Sequence, residues 1–183
     1  MAAEEYQAGQ EKSTVCAACH GPTGRSINPE WPSLSGQHSH YLIKQMQNYK
    51  AQQGRTAPAM TAMVANLSPQ DMVEIAAFYA SQPLPKGSTP KKYRERGEQL
   101  YRGGDFSQHI TACIACHGPK GHGNAEANFP ALSGQHAAYT ILQLQAFKNH
   151  TRSNDLSGIM QDISQRMSLE DMTAVAHYVE GLH

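Results

Sequence analysis

No stretch of this sequence approaches the roughly 18 consecutive apolar residues that a membrane-spanning helix needs. Nor is there an excess of charge of either sign, since 15 Lys and Arg stand against 15 Asp and Glu among 183 residues. The first absence excludes a transmembrane segment, and the second excludes the basic surface of a nucleic-acid binder. Aromatic residues are scarce, at 7%, and hydrophobic residues of all kinds make up only 39%. The length suits one medium domain or two small ones. So thin an apolar supply is little for two separate small cores, which usually need a staple, a metal or a cofactor. Something besides side chains is expected to fill part of the interior.

The four cysteines indicate what that is. They fall as Cys16-Ala-Ala-Cys19-His20 and Cys113-Ile-Ala-Cys116-His117, each followed by Gly-Pro. Cys-x-x-Cys-His is the attachment signature of a c-type haem. Two thiols three residues apart on one helical turn can form thioethers to both vinyl groups of a porphyrin, and the adjacent imidazole is carried under the ring toward the iron. A disulfide within each pair would leave both histidines unexplained. A four-cysteine zinc site does not require His directly after the second Cys, and a thioredoxin-like pair would want a βαβ setting that the helical flanks lack.

The motif recurs because the chain is two copies of one module. Ser35-Gly36-Gln37-His38 returns as Ser133-Gly134-Gln135-His136, Tyr41 as Tyr139, and the run from Met60 to Met72 as Met160 to Met172. The offset grows from 97 at the first Cys to 98 and then 100, so the halves differ by short insertions. Gly9-Gln10 and Gly97-Glu98 correspond only if residues 102–110 hold an insertion, where Gly103-Gly104 reads as a turn. A stiff, exposed linker rich in proline, Pro83 to Pro90, divides residues 1–82 from 91–183. Each half reads as all-α. Ser68 with Asp71, and Ser168 with Asp171, are expected helix N-caps. The helices they start carry apolar faces of Met72, Ile75, Ala76 and Tyr79, and of Met172, Val175, Ala176 and Val179.

The second axial position of each iron decides what such a haem does: an open position admits a small molecule, a filled one leaves electron transfer. Of eight methionines, only Met60/Met160 and Met72/Met172 recur in both halves. Met72 and Met172 belong to a packing face. Met60 and Met160 precede those helices, where the chain can cross the opposite haem face, so they are the expected ligands, with Met63 the rival in the first half. His38 and His136 repeat but follow Gly-Gln at a helix start, which suggests capping or surface roles. The remaining histidines outside the attachment motifs have no counterpart and are expected to be mostly solvated. The basic cluster Lys91, Lys92, Arg94 and Arg96 is better read as a solvated helix face than as a docking site for an acidic partner.

The order of Cys-x-x-Cys-His, Trp/Phe-Pro-x-Leu-x-Gly-Gln, a Tyr-bearing helix, a Met segment and a Ser-capped final helix resembles a class I cytochrome c domain. Two of them in tandem, with the ending Gly181-Leu182-His183, are similar to the cytochrome c4 family. The resemblance implies an all-α fold of two tandem class I cytochrome c domains, each wrapped around one covalent haem c. It implies iron ligation by His20 and Met60, and by His117 and Met160. It further implies that Pro32 and Pro130 offer carbonyls to the proximal imidazoles, and that the haem propionates approach each other between domains. Electron transfer in the periplasm follows, from a cytochrome bc complex to a terminal oxidase or other reductase, through transient contacts that allow peripheral membrane association. One departure is the short loop before Met60. Met1-Ala2-Ala3-Glu4 has neither the basic region nor the apolar stretch of a signal peptide. The enzymatic alternatives are a two-haem thiosulfate dehydrogenase or a small peroxidase. The first usually wants a Cys ligand, and all four cysteines are committed to attachment; the second wants an open haem.

Overall fold

The computed structural model describes residues 2–183, with side chains from Tyr6 onward. In the first half, α1 (Ala2–Lys12) runs into a 3-10 turn at Ser13–Val15, followed by the single-turn α2 (Ala17–His20). A long loop leads to α3 (Ser39–Ala51), α4 (Pro58–Val64) and α5 (Pro69–Ala80). The second half repeats the order: α6 (Lys91–Arg102), α7 (Ile114–His117), α8 (Ala137–Lys148), α9 (Ile159–Arg166) and α10 (Leu169–Glu180). The described residues form isolated bridges but no sheet. No described helix is long and apolar enough to cross a membrane.

In each half the first helix crosses the last, α1 on α5 and α6 on α10. The final helices start as their sequences require. Ser68 and Ser168 accept from the amides of Asp71 and Asp171, whose carboxylates reach back to the serine amides. These are complete capping boxes, with amides satisfied in both directions. The apolar faces behind them make two small cores: Leu42, Ile75, Phe78 and Tyr79 in the first half, Leu100, Tyr101, Met172 and Val175 among others in the second. Met72 and Met172 are both buried, as the face pattern predicts, and Met172 belongs to the second core.

The segments holding Met60 and Met160 are themselves short helices, α4 and α9. Pro58 at the first helical position starts α4, but seven or eight residues are too few for periodicity to reveal a helix. The linker is exposed over most of its length but anchored in its middle. Pro85 is buried, and Leu84 and Pro85 lie against Gly36 and Gly134. Both glycines have φ +70°, and a Cβ on Gly134 would stand 2.0 Å from the Pro85 carbonyl oxygen. Only glycine admits the linker this closely.

Candidate haem-binding cavity

Each attachment motif is one turn of helix. The His20 amide donates to the Cys16 carbonyl at 2.9 Å, and the His117 amide to the Cys113 carbonyl at the same distance. Cysteines at i and i+3 therefore share a face, and Gly21 and Gly118, at φ +78° and +76°, end the turn. The two imidazoles are buried. His20 Nδ1 is 2.8 Å from the Pro32 carbonyl oxygen, and His117 Nδ1 is 2.9 Å from that of Pro130. A carbonyl can only accept, so each Nδ1 carries the proton and Nε2 keeps its lone pair. Burial pushes both imidazoles below the ordinary histidine pKa against the opposing pull of the proline carbonyls. The neutral form, which binds metal, is thereby favoured.

The setting of Cys16 and Cys113 does not favour a thiolate. Burial raises the Cys16 thiol and pushes that of Cys113 up to about 12, so neither is an activated thiolate. Among the described residues no group of three or more His, Cys, Asp and Glu could hold a metal ion, which disposes of the zinc reading.

A cavity of about 830 Å³ runs through both halves and is lined by both attachment motifs, Met60 and Met160. The structure thus brings every predicted site residue to one continuous space. Met63, 45% exposed, and Met46, packed against the first core, also line it, while Met167 is buried in the second core.

What sequence reasoning missed lies between the domains. Arg55 and Arg152 are buried side by side. Arg55 donates to Gln45 Oε1 at 2.5 Å and to the Tyr139 hydroxyl at 2.6 Å. Arg152 donates to Gln143 Oε1 and to the Tyr41 hydroxyl, both at 2.8 Å. Each guanidinium thus grips a tyrosine of the other domain. Burial opposes the charge on Arg55, but the facing oxygens of Tyr139, Tyr49 and Tyr41 more than offset it. Burial would also raise the Tyr41 phenol, yet Arg152 and Arg55 bring it below the ordinary tyrosine value. Among the described residues neither arginine forms an ion pair. The signal was faint: Arg55 and Arg152 fall at an offset of 97, out of step with the 98 of the segment before them and the 100 of the segment after.

Other residues fall differently from expectation. His136 uses its ring between domains, with Nε2 2.8 Å from the Ser26 carbonyl oxygen, and neither it nor His38 caps its helix by side chain. The basic cluster is the solvated helix face expected of it at Lys91, Lys92 and Arg94, which are exposed, while Arg96 is tied down and bridges Asp105 and Asp171.

The cytochrome c family pattern matches residues 6–82 and 95–183. Cytochrome c4 from Azotobacter vinelandii is 44% identical over 191 residues, covering 100% of this chain and 91% of that protein. The chain belongs to the cytochrome c4 family. A crystal structure of reduced recombinant cytochrome c4 from Pseudomonas stutzeri superposes with a TM-score of 0.94 at 43% identity, covering 97% of this chain and 98% of that one. The thiosulfate dehydrogenase electron acceptor of Thiomonas intermedia is 36% identical, over 95% of this chain and 81% of its own length. As a cytochrome c4 family member the chain is an electron carrier, not an enzyme, with haem c on Cys16/Cys19 and on Cys113/Cys116.

The residues fit that group. Two neutral imidazoles with free Nε2 atoms and two methionines line a largely apolar space. Arg55 and Arg152, buried and lining the same cavity, would supply the countercharge that anionic propionates need.

Proposed function

We propose that His20 and Met60 ligate one iron and His117 and Met160 the other. In this reading the chain carries electrons through the periplasm, from a cytochrome bc complex or similar donor to a terminal oxidase or other reductase. The observation that carries it is the single cavity in which each backbone-tethered imidazole shares the lining with a methionine of its own domain.

Haem iron supplies a one-electron couple, and a thioether ligand favours its ferrous state. The Pro32 and Pro130 carbonyls orient the imidazoles and strengthen them as donors. With haem bound, Met60 and Met160 would supply thioether ligands and would exclude small molecules from the iron. Arg55 and Arg152 hold compensating positive charge where the two domains meet. Nearly balanced surface charge leaves docking to local patches over a small contact of under about 1,200 Å².

A near-infrared spectrum of the oxidised protein tests the ligands. The Met60→Ala and Met160→Ala variants should each lose half of the weak Fe(III)–thioether absorption and gain carbon monoxide binding in the ferrous state. Rapid carbon monoxide binding by the unaltered protein would point to a reactive haem. A second donor class is supported by the relative that is itself a thiosulfate dehydrogenase electron acceptor. Stopped-flow reduction by such an enzyme and by a bc complex compares the two donors directly.

A further inference from the structure

The two methionine arms are built alike in register but anchored differently. Helix α4 begins with Pro58 after Ala57, and no side chain caps it. Helix α9 follows Gly158, which has no side chain to offer, after left-handed Ser157 at φ +51° and Gly158 at φ +71°. Its free amides are met from farther back. Asp155 Oδ2 accepts from the Met160 amide at 2.8 Å and from the Gln161 amide at 3.1 Å, while Oδ1 accepts from Gln161 Nε2 at 2.8 Å. Gln161 is held in turn: its Oε1 accepts from His150 Nδ1 at 2.8 Å, and His150 Nε2 accepts from Gln165 Nε2 at 2.6 Å. The insertion that lengthens the second repeat thus carries a carboxylate clamped onto the backbone of the predicted sulfur ligand. The shorter first loop has no such residue.

Resting on the ligand reading above, we propose that Asp155 is the positioning residue for the Met160 arm. It holds the thioether of the second domain in place, while the Met60 arm has no carboxylate on its first amides and is tied instead through Thr61 Oγ1, which donates to the Tyr49 carbonyl at 3.3 Å. A carboxylate on the first amides of a helix removes unsatisfied donors and opposes the helix dipole. Releasing it frees residues 155–161 to swing. The thioether can then be exchanged for an external nitrogen ligand, with one iron–sulfur bond broken, one iron–nitrogen bond formed and no electron moved.

The test is imidazole titration of the oxidised holoprotein, followed by its near-infrared thioether absorption. Asp155→Ala should strengthen imidazole binding at one haem roughly tenfold, the size of effect a lost cap produces, and leave the other haem unchanged. Asp155→Asn keeps an acceptor for the Met160 amide and should retain most of the absorption. Its loss of negative charge should raise one midpoint potential in a redox titration. Asp162→Asn, exposed on the same helix and paired with Arg166, should change neither readout. Equal imidazole affinity in Asp155→Ala and the unaltered protein overturns the proposal. Met160→Ala separates the two levels: if it fails to remove half of the thioether absorption, the ligand reading falls; if it succeeds while Asp155→Ala does nothing, only the clamp falls.

Discussion

Gln37 and Gln135 perform the same act in opposite directions across the domain interface. Gln37 donates to the Ala131 carbonyl and accepts from the Ala131 amide, both at 2.9 Å. Gln135 does the same with Ser33, again at 2.9 Å for both bonds. All four residues are buried. A side-chain amide is thereby made to imitate a strand partner, and pairing the backbone of both loops fixes the domains in one relative position.

Gln37→Leu keeps approximate volume but strands the Ala131 amide and carbonyl without partners. Leaving buried backbone groups unpaired costs about 1–3 kcal/mol. The cost should fall on the interface rather than on either core. Differential scanning calorimetry should therefore show the two domains melting further apart in temperature than in the unaltered protein. An unchanged melting profile would mean that the interface is held elsewhere.

Arg55 offers a sharper test, because its charge and its hydrogen bonds can be separated. Arg55→Met leaves the oxygens of Gln45, Tyr139 and Gln143 short of a donor and should cost about 2–4 kcal/mol of stability. Loss of a buried positive charge also stabilises the oxidised state, so the midpoint potentials should fall in a redox titration. Arg55→Lys retains charge but cannot reach three acceptors with a planar fork. It should restore potential better than stability. Equal damage from both variants would assign Arg55 a purely structural part.

The attachment motifs, the tandem repeat and both capping boxes were legible because each depends on residues close in sequence. The proline carbonyls facing His20 and His117 came from family resemblance, since a backbone oxygen 12 or 13 residues away leaves no mark in composition. The proposed 102–110 insertion agrees with a compact turn closed by the Asp105–Ile110 bridge, and Gly9 and Gly97 both sit at a crossing with the last helix of their domain. The arginine pair escaped notice because it falls out of step with the repeat and because charge was read only as a total. Balanced totals conceal which charges are buried. Asp155 was invisible for another reason: it lies in the stretch by which the repeats differ, so comparing one half with the other discards it.

Arg96 sets an acid limit for the second domain. It bridges Asp105 and the buried Asp171. Burial would raise the Asp171 carboxyl, but hydrogen bonds from Ser168 and Arg96 bring it below the ordinary range, and Ser107 and Arg96 do the same for Asp105. Carboxylates with lowered folded pKa values contribute stability above the unfolded value of about 4, and that contribution is lost as pH falls through the folded values. The unaltered protein should lose stability steadily below about pH 4. Arg96→Met should be less stable by about 1–2 kcal/mol at pH 7 and should show a flatter acid limb in urea unfolding. An acid limb of unchanged slope would assign the sensitivity to other carboxylates.

Gly97 poses the clearest contest between local and tertiary preference. In an isolated helix, alanine would be better than glycine by about 1 kcal/mol. In α6, however, a Cβ at this position would stand 2.5 Å from the Ala174 carbonyl oxygen and 2.6 Å from Tyr178 Cβ on α10. Neither can retreat, since one is backbone and the other is the root of a buried side chain. Overpacking of this kind costs about 1–3 kcal/mol, and here it would force apart the crossing that closes the second domain. Gly97→Ala should therefore destabilise, by about 1 kcal/mol net, against the sign that helix propensity gives. Gly9→Ala meets the Glu74 carbonyl oxygen at 2.0 Å and should behave likewise in the first domain. Denaturant unfolding followed separately at each haem decides the matter. If Gly97→Ala leaves the second domain as stable as before, α6 and α10 have room to slide, and the close crossing does not determine how tightly this domain shuts around its cofactor.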